Sequence, residues 1–122
     1  MSKTVLLIED EPNIIEAIRF ILKRDGWHVD THSDGTTAVD TVHAKRPDLV
    51  ILDVMLPGKS GYDILRDLRG VYGADDLPVL MLTARGQTKD RDIAHRAGVN
   101  RFMTKPFSNA EMLEAVRALA VP

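Results

Sequence analysis

The sequence predicts an α/β fold, a (βα)5 doubly wound parallel sheet with the strand order 2-1-3-4-5. Three observations carry this reading. Apolar runs alternate with helical patterns from end to end. Three of the runs, residues 5–8, 49–52 and 79–82, are continuously apolar and rich in Val, Ile and Leu. Two further strand segments, residues 28–32 and 101–104, are mixed in character. Unbroken apolar runs bounded by polar residues or Pro suit strands buried on both faces, as in a parallel sheet lying between two helix layers. The apolar runs therefore take the middle, the mixed ones take the edges, and right-handed crossovers give the order. At 122 residues and 13.6 kDa, the chain is expected to form one domain, residues 1–122, because its length supports one core and not two.

Each helix has its own signals. Pro12 stands at a first helical position, and Ile14, Ile15, Ile18, Ile21 and Leu22 follow on one stripe until Gly26 stops it. Asp34 is read as the cap of a second helix, whose Ala38, Val39 and Val42 face inward until Pro47. Ser60 caps a third, carrying Ile64, Leu65 and Leu68 and ending near Gly73. In the segment 86–98 only Ile93, Ala94 and Ala97 are apolar inward candidates, so the fourth helix has the least surface to anchor it. Ser108 and Glu111 form a capping box for the last helix, with Met112, Leu113, Val116 and Leu119 inward.

Composition excludes several classes of function. Sixteen Lys and Arg against 18 Asp and Glu leave a formal charge of −2, with no whole-surface attraction to nucleic acid or anionic membrane. The absence of cysteine removes disulfides, cysteine–zinc sites and thiol catalysis. No apolar run approaches the ~20 residues of a membrane span. The run at residues 5–8 ends in acids, unlike a signal peptide, so a cytoplasmic location is expected.

In an open parallel sheet, sites form outside the carboxyl ends of the strands. Here those ends carry Glu9, Asp10 and Glu11, then Asp53, then Thr83 and Ala84, then Lys105 and Pro106. Adjacent carboxylates at ~4 Å repel by about 4 kcal/mol per pair at an effective dielectric of ~20, so the cluster calls for a cation. Ligands that are all oxygen point to Mg²⁺ or another hard divalent ion. Such a pocket suits phosphoryl transfer, with Asp53 on the central strand as nucleophile. The metal, Lys105, and the Thr83 hydroxyl with a nearby backbone N–H would take the three phosphoryl oxygens, and the Met55 carbonyl could complete the metal shell.

Four motifs, IEDE at 8–11, LDVMLPGKSG at 52–61, LTARG at 82–86 and TKPF at 104–107, occur in one order on this pattern. In these the chain resembles, over essentially its whole length, a response-regulator receiver domain of two-component signalling, a flavodoxin-like fold shared with chemotaxis regulators. The resemblance implies that Asp53 accepts a phosphoryl group from a histidine kinase, a phosphotransfer protein or a small phosphodonor. It implies that Glu9, Asp10, Asp53 and the Met55 carbonyl hold Mg²⁺, that Lys105 and Thr83 contact the phosphoryl group, and that a cis peptide precedes Pro106. Phe102 matches the switch aromatic, which commonly swings inward as Thr83 moves, and Ala84 is small enough to leave the phosphoryl group open to water. Met55 and Arg85 stand at variable positions that tune the lifetime of the acyl phosphate. Such a protein is not an enzyme in the usual sense but a phosphoacceptor that assists its own phosphorylation and dephosphorylation. Its output is expected through helix four, strand five and helix five, toward a downstream protein or a covalently linked effector domain, without direct binding to nucleic acid or membrane.

Other features are read more plainly. Residues 85–101 hold five basic residues against Asp90 and Asp92, a solvated helix face first and a docking face for an acidic partner second. Receivers of the winged-helix branch commonly dimerise through complementary charges. Arg91 and Glu111 keep part of that pattern, but Asn100 and Arg101 replace acids and Ala115 replaces an arginine, which disfavours that dimer. The four histidines are read as surface residues, and Trp27 as packing at the far pole. Two rivals stay open. A haloacid-dehalogenase-type phosphatase also uses a strand-end Asp with Mg²⁺, although Met55 stands where it wants an acid; a phosphorylation-independent binding module needs none of these residues. The last helix is followed at once by Val121 and Pro122, and both a stand-alone receiver and part of a longer regulator are compatible with the sequence.

Overall fold

The computed structural model describes residues 3–84 and 88–120. Within them the chain runs β1 (Thr4–Ile8), α1 (Pro12–Arg24), β2 (His28–His32), α2 (Ala38–Lys45), β3 (Leu49–Asp53), α3 (Gly61–Arg69), β4 (Val79–Thr83), α4 (Thr88–Arg96), β5 (Arg101–Thr104) and α5 (Asn109–Leu119). All strand pairs are parallel and the order is β2-β1-β3-β4-β5, as the sequence predicts. Among the described residues, no helix is long and apolar enough to cross a membrane.

The two-residue period of a strand sends alternate side chains to opposite helix layers. Leu6, Ile8, Val50, Leu52, Val79, Met81 and Phe102 pack under α2, α3 and α4. Val5, Leu7, Leu49, Ile51, Leu80, Leu82 and Met103 pack under α1 and α5. Beyond Thr4 the central strands are therefore apolar at every position up to their carboxyl ends, where Asp53 and Thr83 close β3 and β4 at the site.

The helix signals hold with two corrections. Pro12 opens α1, and Lys23 and Arg24 lie in its last turn, where cations favour the exposed carbonyls. Ser60 Oγ accepts from Asp63 N at 3.2 Å, and Ser108 and Glu111 close their capping box. Asp34, however, does not cap α2. Its Oδ1 accepts from Thr36 N at 2.9 Å in a local turn, and the helix starts only after Thr37, which makes no side-chain cap. An Asx turn satisfies the carboxylate locally and uses up the cap. Helix α3 ends at Arg69 with Gly70 as its cap, short of Gly73, and the Tyr72 and Gly73 carbonyls turn onto Arg69 at 3.4 and 3.3 Å. That guanidinium donates to Leu77 O at 2.9 Å, Gly98 O at 2.7 Å and Asn100 Oδ1 at 2.6 Å, tying the α3–β4 and α4–β5 connections together.

Helix α4 is as thinly anchored as its composition implies: Ala94 is buried, Ile93 is half-buried, and Ala97 follows the helix end. Arg85 and Gly86, the site of a tuning residue and the first residue of the segment read as the fourth helix, lie outside the described residues. The histidines are less solitary than their spacing implies. His32 shares a hydrogen bond of 2.8 Å with Thr37 Oγ1, and His43 Nδ1 one of 2.6 Å with Tyr72.

Candidate functional site

Helix–sheet packing leaves β1, β3 and β4 ending at one pole, and the first polar residues of these strands are buried there. Glu9 has no exposed surface, Asp53 is 3% exposed and Thr83 is 2% exposed. Ligand oxygens of Glu9, Asp10 and Asp53 lie within 4.8 Å of one another. Among the described residues, the cation that enters this cluster is Lys105, whose side chain is 10% exposed. Its Nζ is 2.7 Å from Glu9 Oε1, 3.5 Å from Asp53 Oδ2 and 3.4 Å from the exposed Glu11 carboxylate. The Lys105–Pro106 peptide is cis.

The acids are not equivalent. Glu9 folds back on its own chain, with Oε2 accepting from Asp10 N at 3.0 Å and Glu11 N at 3.3 Å. Its Oε1 has only the ionic contact with Lys105; among the described residues no directed hydrogen bond satisfies this buried oxygen. Burial first, and then the neighbouring Asp53, raise the Glu9 carboxyl above its ordinary pKa, with Lys105 acting in the opposite direction. Burial by itself lowers an ammonium, but contacts with Glu9, Asp53 and Glu11 prevail and hold Lys105 above its ordinary value. Asp10 is exposed, so the cluster opens to solvent on its side. A buried carboxylate oxygen held only by an ammonium, beside two more carboxylates, belongs to a donor set suited to a hard divalent cation.

Around this core, Asp53 Oδ1 accepts from Met55 N at 3.4 Å, while the Met55 side chain is 68% exposed. Ala84 and Pro106, which follow Thr83 and Lys105 in the chain, are exposed. Phe102 is packed inward at 8% exposure in the layer under α2, α3 and α4. The Arg91 guanidinium covers it, 5.3 Å from the ring centroid.

One positioning residue escapes sequence reasoning. A Cβ on Gly61 would lie 2.3 Å from Asp53 O and 2.9 Å from Val54 Cα, so only glycine lets the first turn of α3 press on the backbone that presents Asp53. Gly61 N also donates to Val54 O at 2.8 Å. A glycine after a helix cap gives no hint of this approach, because the contact crosses from helix to strand end.

A doubly wound sheet whose strand ends gather three acids, a threonine and a buried lysine defines a phosphoryl-accepting signalling fold. The chain belongs to the response regulator receiver domain family, whose description matches residues 5–117. It is thus a phosphoacceptor of two-component signalling, which sets the phosphatase reading aside. It is 43% identical over 116 residues to "Probable transcriptional regulatory protein TcrX" of Mycobacterium tuberculosis, covering 95% of this chain and 49% of that protein. The chain therefore spans about half the length of this relative. The receiver domain of the sensor histidine kinase PA1611 from Pseudomonas aeruginosa superposes with a TM-score of 0.88 at 30% identity over 98% of both chains; its structure holds a magnesium ion coordinated in the active-site cleft. The BeF3-activated N-terminal receiver domain of RstA from Klebsiella pneumoniae gives a TM-score of 0.90 at 28% identity, covering 98% of this chain and 99% of that one.

Proposed function

We propose that residues 1–122 form a Mg²⁺-dependent receiver switch in which Asp53 is the phosphorylated residue. The observation that carries this reading is the convergence of Glu9, Asp10 and Asp53 oxygens within 4.8 Å beside the largely buried Lys105. Glu9, Asp10, Asp53 and the Met55 carbonyl would hold the ion, which when bound supplies charge neutralisation to the incoming phosphoryl group. Asp53 Oδ attacks phosphorus in line. The bond from phosphorus to the donor's imidazole nitrogen, or to the leaving oxygen of a small phosphodonor, breaks, and the phosphoryl group stays on Asp53. Lys105 neutralises charge on the new group, the Thr83 hydroxyl donates to one of its oxygens, and exposed Ala84 leaves it open to hydrolysis.

The donor is a sensor histidine kinase or phosphotransfer protein, and the site of action is the cytoplasm. The name and length of TcrX support a covalently linked effector as the target. The winged-helix-type dimer is disfavoured by the side chains themselves. Arg91 lies over Phe102, and Glu111 Oε1 accepts from Ser108 N at 3.2 Å within its capping box. Asn100 is used on both sides of its amide, by Val79 N and Ala74 O, each at 2.9 Å.

The test is labelling by acetyl phosphate. Wild-type protein takes up phosphate in Mg²⁺ and not in EDTA, and Asp53→Asn abolishes uptake. Unchanged labelling of that variant overturns the assignment, and failure of the wild type to bind beryllofluoride with Mg²⁺ favours a phosphorylation-independent binding module.

A further inference from the structure

We propose that the β2–α2 connection braces the metal site, and that Gly35 within it is a positioning residue for the Met55 carbonyl. The proposal rests on the function above, in which that carbonyl is a ligand of Mg²⁺. Unlike the three carboxylates, a backbone carbonyl has no side-chain torsion with which to adjust. Its place is set by the path of residues 54–60. Near its start, Met55 N donates to Asp53 Oδ1 at 3.4 Å, and Gly61 N closes the segment onto Val54 O at 2.8 Å. Leu56 is half-buried against the core, but Pro57 and Gly58 are exposed and take no support from it.

The support comes from a distant part of the chain. Gly35 is buried, and its N–H donates to Pro57 O at 3.0 Å. A Cβ on Gly35 would lie 2.3 Å from Lys59 O and 3.0 Å from both Lys59 N and Pro57 O, so backbone presses on backbone there. The approach is matched from the other side. Gly58 has a φ of +84°, and a Cβ on it would lie 2.2 Å from Thr36 Oγ1 and 3.3 Å from Asp34 Oδ1. Asp34 Oδ1 in turn accepts from Thr36 N at 2.9 Å, so the turn that fails to cap α2 shapes the surface on which Gly58 rests. The same connection leaves β2 at His32, whose carbonyl accepts from Glu9 N at 2.9 Å. Residues 32–36 thus touch both the chain that supplies Glu9 and the segment that supplies the Met55 carbonyl.

Groups behind a metal's ligands fix ligand orientation, and losing them weakens metal binding by roughly 10- to 100-fold. The test reads Mg²⁺ affinity by calorimetry at pH 8, with folding checked by circular dichroism and exchange of the Gly61 amide followed in EDTA. Gly35→Ala must move the two backbones apart by about 1 Å to restore ordinary contact. It is expected to bind Mg²⁺ about tenfold more weakly and to raise the Mg²⁺ concentration for half-maximal acetyl phosphate labelling by the same factor. Without metal it should exchange the Gly61 amide faster. Gly26→Ala is the control, at the opposite pole between α1 and β2. Its φ of +91° strains any side chain, but nothing lies within 4 Å of its Cβ. That variant should lose stability and keep wild-type Mg²⁺ affinity.

A second pair of variants probes the brace from the other connection. Gly58→Ala should also weaken Mg²⁺ binding, and adding Thr36→Ala, which removes the oxygen at 2.2 Å, should restore part of it. If Gly35→Ala does not fold, this pair decides. Wild-type Mg²⁺ affinity in Gly35→Ala or Gly58→Ala overturns the brace, as does an equal loss in Gly26→Ala or a Gly58→Ala loss that Thr36→Ala leaves unchanged. Each of these leaves the phosphoacceptor reading intact. A wild type that binds no Mg²⁺ overturns that reading together with the brace.

Discussion

Replacing Lys105 with Met removes a largely buried cation from a pocket of acids, and three distances set the consequence. At an effective dielectric of ~20, the contacts at 2.7 Å to Glu9 and 3.5 Å to Asp53 amount to about 11 kcal/mol of gross attraction. The carboxylate oxygens, within 4.8 Å of one another, oppose this with at least about 3.5 kcal/mol per pair, or ~10 kcal/mol over three pairs. Lysine therefore offsets a large part of the repulsion between the acids. Without Lys105 the repulsion stands alone until water enters or Glu9 takes up a proton. Those relaxations bring the measured loss to the range for breaking a buried ion pair, about 3–5 kcal/mol. Urea unfolding in EDTA at pH 8 should place the midpoint of Lys105→Met about 1–3 M below wild type. The deficit should shrink as pH falls and Glu9 takes up its proton, and in Mg²⁺, which supplies the missing charge. A variant as stable as wild type in EDTA at pH 8 would refute the balance of charges described for this site.

Glu9 supplies the pH dependence. Its folded pKa lies above the ordinary 4.5, so the folded state holds this proton more tightly than the unfolded one. Metal-free stability should fall as pH rises from 4.5 through that raised value; Glu9→Gln should erase this slope in urea titrations and be at least as stable as wild type at neutral pH. Mg²⁺ affinity, followed by calorimetry, should weaken as pH drops through the same value, since the proton and the ion compete for one carboxylate. Gly61→Ala should cost about 1–3 kcal/mol, because its Cβ meets Asp53 O at 2.3 Å. It should also slow acetyl phosphate labelling, and wild-type stability and rate together would contradict the close approach. Arg69→Ala strands the Gly98 and Leu77 carbonyls and should cost about 2–3 kcal/mol by urea unfolding, with Mg²⁺ affinity unchanged because the clamp lies at the opposite pole.

How much was legible from residues alone follows a physical division. The three apolar runs, the mixed edge strands and the capped helices announce the sheet because burial on both faces and helix capping act over a few neighbouring residues. Once the order of strands follows, the topology brings Glu9, Asp10, Asp53, Thr83 and Lys105 to one pole, whatever the details of packing. Asp34 was misread for a related reason: its cap and its turn look alike in sequence, and only the path of the chain chooses between them.

The tertiary structure alone decided how these residues differ. Three consecutive acids look equivalent, yet the turn after β1 buries Glu9 under Asp10 N and Glu11 N and leaves Asp10 to solvent. Phe102 could have stood in or out; packing under α4 put it inward with Arg91 across its face. Arg69 reaches Gly98 and Asn100 across 29 and 31 residues, and Gly61 touches the carbonyl of Asp53 from another element. Local sequence determines which elements form and which residues stand at their ends. Contacts between elements distant in the chain decide which of those residues is buried and which is paired.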